Sequence, residues 1–163
     1  MSLSKVYSRA KFGLQAPLVS VEVHLSNGLP AFNIVGLPEI AVKESKDRVR
    51  SAIINSKFEF PNRRITVNLA PAELPKGGSR FDLAIAIGIL AASEQIPKAP
   101  LDQYEFIAEL ALSGQLRGVK AMLPSAMACS SAKKQLIISE YNANETLLVE
   151  PLTVLAAKNL LQV

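Results

Sequence analysis

Apolar and polar positions alternate most clearly over Leu18 to Leu25 (LVSVEVHL), where Val19, Val21 and Val23 face one way and Ser20, Glu22 and His24 the other. That period of two marks a strand buried on one face. Ser26-Asn27-Gly28 supplies turn chemistry, so Ala31 to Val35 is expected to return as the second strand of a hairpin. A poorer alternation over Lys5 to Lys11 predicts a strand ahead of both. Gly36-Leu37-Pro38 then breaks the pattern and Glu39 opens a helix to about Lys57, with Val42, Val49, Ala52 and Ile53 as its apolar stripe. Glu39 with Lys43, and Glu44 with Arg48, stand at the i,i+4 spacing of helical ion pairs.

The stretch Asn68 to Ser93 (NLAPAELPKGGSRFDLAIAIGILAAS) has a different rhythm. Ile65 to Leu69 is a β-branched, alternating strand, and Pro71, Pro75 and Gly77-Gly78 then form a loop in which helix is barred. Ser79, three residues before Asp82, resembles a capping box, and the helix that follows is apolar on nearly every face. A helix this short and apolar belongs in a domain core. Its first turn would present unpaired N–H groups beside Gly77-Gly78, a place suited to a nucleophile or an anion.

After a connector with Pro97 and Pro100, Tyr104 to Leu112 is expected as a strand turning at Ser113-Gly114. A helix over Leu123 to Lys133, a strand over Gln135 to Ser139 and a final helix within Leu152 to Leu161 complete the order. The expectation is one domain over residues 1–163, of mixed α/β (α+β) class, with antiparallel hairpins and crossover helices.

Composition changes this picture little. A 49% hydrophobic content in 163 residues is enough for a sizeable core. The net charge of +4 is compatible with an acidic partner and does not by itself indicate nucleic acid. Lys43, Lys46, Arg50 and Lys57 form a basic stripe on the first long helix, either a solvated face or a partner surface. The single cysteine, Cys129, lies in an alanine-rich helical run and reads as a small core residue. With no signal-peptide pattern and no stretch long enough for a membrane, a cytoplasmic location is the default expectation.

Few catalytic constellations survive. His24, the only histidine, alternates out of a predicted strand and would have to face a distant serine to form a triad. One imidazole and one thiol cannot supply a usual zinc set, and G-x-x-x-x-G-K-[ST] is absent, so this chain has no P-loop for ATP. A Ser-Lys dyad can still be written with Ser79 as nucleophile and Lys76, Lys120, Lys133 or Lys134 as base, provided burial depresses the lysine. Arg63, Arg64, Lys76 and Arg80 flank one strand-to-helix loop and are the candidate phosphate contacts; alternatively Arg80 pairs with Asp82 or Glu73.

The runs GLPEIAVKESKDRVRSAI and TVNLAPAELPK, within Asn27 to Ser93, closely resemble the N-terminal region of the ComM/YifB family of magnesium-chelatase-like AAA+ ATPases. The resemblance extends over roughly Tyr7 to Leu148 and implies a fold like the proteolytic domain of Lon. Lon-type proteases carry a stretch like PKDGPSAG, whose serine is the nucleophile. Laid along it, PKGGSRFD places Arg80 at that position, and the later match over Glu109 to Leu123 puts Leu123 where the catalytic lysine would be. Both dyad members are thus replaced.

What the resemblance implies is a non-proteolytic module of a ring-shaped, hexameric ATP-driven branch-migration helicase. Its partners would be DNA, its own AAA+ module and further copies of itself, with ATP and Mg²⁺ bound by an ATPase module outside this chain. An active Ser-Lys peptidase using Ser79 and a purely structural oligomerisation scaffold are the alternatives.

Overall fold

The computed structural model describes residues 2–36, 38–149 and 151–163. Nine strands and five α-helices follow in the order β1 (Leu3–Arg9), β2 (Leu18–Ser26), β3 (Ala31–Val35), α1 (Ile40–Lys43), α2 (Ser45–Asn55), β4 (Arg64–Ala70), α3 (Asp82–Ala92), β5 (Tyr104–Ile107), β6 (Glu109–Leu110), β7 (Leu116–Arg117), α4 (Met122–Ser131), β8 (Gln135–Ser139), α5 (Ala143–Thr146) and β9 (Val154–Ala157), among the described residues. Seven strands share one mixed sheet in the order β3-β4-β2-β1-β5-β8-β9, while β6 and β7 pair separately. The α/β class read from the pattern is the class observed.

The sheet changes character along its width. β1, β2 and β4 are antiparallel and bury one face only: Val19, Val21 and Val23 are fully buried while His24 is exposed, as the alternation requires. β5 and β8 are parallel and buried on both faces. Phe106 and Ile137 enter the main core, and Ile107, Leu136 and Ile138 pack with Met122, Ala126 and Cys129 of α4 on the other side.

Two pairings differ from expectation. β3 does not return onto β2; it runs parallel to β4, with β4 between them. The antiparallel hairpin is β1–β2 instead. A turn after β2 cannot deliver β3 to an edge that β4 already occupies. Residues 152–161, expected as helix, supply β9, which adds in parallel to β8. Open ladder positions on β8 outweigh the helix propensity of this Leu- and Ala-rich run, which is too short to hold a helix by itself. Two elements are also subdivided: the expected Glu39–Lys57 helix breaks between Lys43 and Ser45, and the expected Tyr104–Leu112 strand breaks at Ala108.

Helix α3 is buried along its whole length, from Asp82 to Ala92, against β1, β2 and α2. Gly88 lets it approach closely, because a methyl group there would lie 2.6 Å from Val23 Cγ2, and Ser4 donates a hydrogen bond to the Gly88 carbonyl at 2.6 Å. On the other side of the sheet order, Arg9 of β1 grips Glu105 of β5 through two bonds of 2.6 and 2.9 Å. Cys129 is buried, and that burial pushes its thiol up to about 12, the nearby Glu105 adding to the effect. It is a core residue, as its surroundings in sequence suggest.

Asp82 joins three elements. Its carboxylate accepts from Ser45 Oγ at 2.5 Å and from Arg48 Nε at 2.7 Å, both on α2, and from the backbone N–H of Leu110 on β6 at 3.1 Å. Arg48 therefore does not turn to Glu44 as the i,i+4 spacing suggests, and the carboxylate beside it holds its guanidinium above its usual value. Replacing Arg48 by alanine leaves a fully buried carboxylate short of its cation. We expect Arg48→Ala to cost about 3 kcal/mol in urea unfolding at unchanged m-value, and a loss under about 1 kcal/mol would contradict the role assigned to the pair.

Candidate functional site

The expected Ser79 cap does not form. Helix α3 begins at Asp82 with Phe81 as N-cap, and no side chain closes that cap. Two of the first-turn N–H groups are already in use. Asp82 N–H bonds the Ser79 carbonyl at 3.2 Å, and Leu83 N–H bonds the Ala108 carbonyl at 3.2 Å. The break between β5 and β6 thus has a purpose, since Ala108 also donates to the Arg80 carbonyl at 3.2 Å. With the Asp82 carboxylate buried at the same place, this helix start does not suit the phosphates of ATP.

The four candidate cations separate. Arg63 and Arg64 lie at the entry to β4, and Lys76 and Arg80 follow its exit, about 20 Å away along a seven-residue strand. Arg63 is turned inward, donating to Ser2 Oγ at 2.9 Å and the Leu25 carbonyl at 3.3 Å, whereas Arg64 is exposed. Lys76 is fully buried, and its ammonium donates to the carbonyls of Gly36, at 2.6 Å, and Pro71. Burial lowers it from its ordinary value, with Glu73 acting in the opposite direction. It is a clamp between the loops after β3 and β4, out of reach of any phosphate. Gly36 belongs to the same clamp: at φ 106° it passes so close to β4 that a methyl group would lie 2.1 Å from the Leu69 carbonyl oxygen.

Arg80, though buried, is the one of the four that lines a cleft. The cleft holds about 690 Å³ and is shared with Lys11, Phe12, Glu39, Ser79 and Lys120. The residue is 4% exposed, and its guanidinium pairs with neither Asp82 nor Glu73. It donates instead to Ser125 Oγ at 2.6 Å and, more weakly, to the Lys120 carbonyl at 3.4 Å. Its Nε is buried without a partner, and burial lowers the group to about 10. At neutral pH it is still a cation.

The two positions that the Lon resemblance assigns to a dyad lie on elements in contact. Arg80 bonds Lys120 and Ser125, which stand on either side of Leu123 at the start of α4. Ser79 shares the cleft with Lys120, but Lys120 is exposed and the two side chains are not hydrogen-bonded. Lys76 is committed to carbonyls, and Lys134 donates to the Asp102 carbonyl. Lys133 lies beyond the end of α4 and outside the cleft. None of these four lysines is therefore placed to deprotonate Ser79.

Sequence reasoning passed over Lys11 and Phe12, which the β1–β2 hairpin tip brings to the cleft from far away in the chain, and Ser125, which carries no signal of its own. Among the described residues, no His, Cys, Asp and Glu cluster could hold a metal ion, and no helix is long and apolar enough to cross a membrane.

Comparison with known proteins decides the family. Residues 21–142 match the model described as subunit ChlI of Mg-chelatase. The chain belongs to this magnesium-chelatase-like family. It is 60% identical over 163 residues to the competence protein ComM of Haemophilus influenzae, a match covering the whole chain and 32% of that protein. It is 54% identical over 149 residues to YifB of Escherichia coli, covering 91% of the chain and 29% of YifB. An uncharacterized protein of Mycobacterium bovis is 35% identical over 161 residues, covering 98% of the chain and 32% of that protein. The ComM/YifB resemblance is thus supported, and the chain spans about a third of the length of these relatives.

The dyad geometry generates an expectation. Casein hydrolysis by the wild-type chain and by Ser79→Ala should be equal and at background, whereas turnover abolished by Ser79→Ala would restore the peptidase reading.

Proposed function

We propose that this chain is a non-proteolytic module of a ComM-type AAA+ ATPase, and that it engages DNA through the Arg80 cleft while supporting assembly of the ring. One observation carries the reading: a buried arginine, still charged at neutral pH, stands where the resemblance places the nucleophile of a Lon-type protease, with two exposed lysines at the same cleft. Charge replaces chemistry there. Lys11, Arg80 and Lys120 outnumber the single carboxylate of Glu39, which favours an anion.

Phosphate contacts of this kind position a duplex without reading its sequence. The Haemophilus influenzae relative is a competence protein, which fits a role in handling DNA. ATP hydrolysis and branch migration would belong to the ATPase module of the longer protein, with Mg²⁺ bound there. A hexameric ring and a cytoplasmic location belong to the same proposal.

Fluorescence anisotropy with a labelled duplex tests it. Binding should weaken steeply between about 50 and 200 mM salt, and Lys11→Ala or Lys120→Ala should each flatten the log–log slope by about one. Both lysines are exposed, so neither change should disturb folding. Affinity that does not depend on salt, or that ignores both substitutions, would remove the reading.

A further inference from the structure

The geometry points to a more specific ligand for this cleft: a single nucleoside phosphate, its phosphate on Arg80 and Lys120 and its base stacked on Phe12. The inference rests on the proposed nucleic-acid role of this face and narrows it to one nucleotide with an unstacked base.

Phe12 is 58% exposed, and it is presented by construction. The hairpin tip is locked by two backbone bonds between Phe12 and Gln15, of 3.2 and 2.9 Å, with Gly13 at φ 60° making the two-residue turn. A large ring held in water beside Lys11, at the rim of a charged cleft, is an arrangement on which a base can stack.

Below it, Arg80 carries the second, independent observation. Arg80 lines the cleft with its Nε buried and without a partner, a cost in a folded protein that a small turn of the guanidinium toward a bound oxyanion would relieve. Glu39 defines the orientation. Its carboxylate lies over Gly77, where a methyl group would come within 2.5 Å of Oε2, so it repels a phosphate there and can accept from a base N–H. The cleft volume of about 690 Å³ lies within the ordinary range for small-molecule sites. A paired base inside a duplex has no free face to offer Phe12. The nucleotide can come from a single strand or from solution.

The test uses the 163-residue chain with a labelled oligo-dT strand, a labelled duplex and free thymidine monophosphate. Phe12→Ala should weaken single-strand binding about tenfold and duplex binding by less than about twofold, and Phe12→Tyr should restore it. Unchanged thermal unfolding of Phe12→Ala shows that the loss is not one of folding.

Calorimetry with thymidine monophosphate separates the sources. Saturable, Phe12-dependent heat assigns the free nucleotide as a ligand. Its absence beside a Phe12-dependent strand assigns the strand. Equal effects of Phe12→Ala on strand and duplex, or none on either, overturn the subsite while salt-dependent duplex binding keeps the backbone-contact reading. Phe12-dependent nucleotide binding with no binding of either DNA would keep the subsite and remove that reading; no binding of any of the three overturns both.

Discussion

The buried carboxylate of Asp82 sets the position of almost everything around the cleft. It stands at the start of α3, the helix on which the core is built, and its bonds reach α2 through Ser45 and Arg48 and β6 through Leu110. A carboxylate with no exposure is tolerable only because its oxygens are filled from those sides. Once α3 is fixed there, Arg80 sits two residues before it, and Ala108 clasps the turn through Arg80 and Leu83. The cleft is the outer side of this joint.

The same loop contains two lysine- or arginine-based devices with opposite purposes. Lys76 is buried to hold carbonyls of the loops after β3 and β4, which fixes the chain path without facing solvent. Arg80 is buried with its hydrogen-bonding capacity only part used, at the wall of an open cleft. Partial satisfaction of a buried guanidinium is unfavourable for folding alone, and it is understandable where a ligand completes it. The cleft is lined by Lys11, Arg80 and Lys120 against the single carboxylate of Glu39.

Much of the fold was legible in the chain. The alternation of Val19, Val21 and Val23 and the all-round apolarity of Asp82 to Ala92 report burial directly, because burial is what they encode. Strand partners are another matter. β3 reaches β4 rather than β2, and Val154 to Ala157 pair with β8, through contacts that no local pattern contains. The site was legible only in part for the same reason. Lys76 and Arg80 read alike as cations beside glycines, yet their roles depend on which carbonyls and hydroxyls surround them. Arg63 and Arg64 are near the loop in sequence and a strand length from it in space. Lys11 and Phe12 are distant in sequence and adjacent in the cleft.

The central claim is that DNA meets this chain at the Arg80 cleft rather than on the basic helical stripe, where Lys43, Lys46 and Lys57 face outward to varying degrees. Lysine-selective reductive methylation with and without bound DNA, read residue by residue by mass spectrometry, addresses it directly. The account predicts that DNA protects Lys11 and Lys120 while Lys43, Lys46 and Lys57 stay as reactive as in the free protein. Protection of the helical lysines with Lys11 and Lys120 unchanged would contradict it.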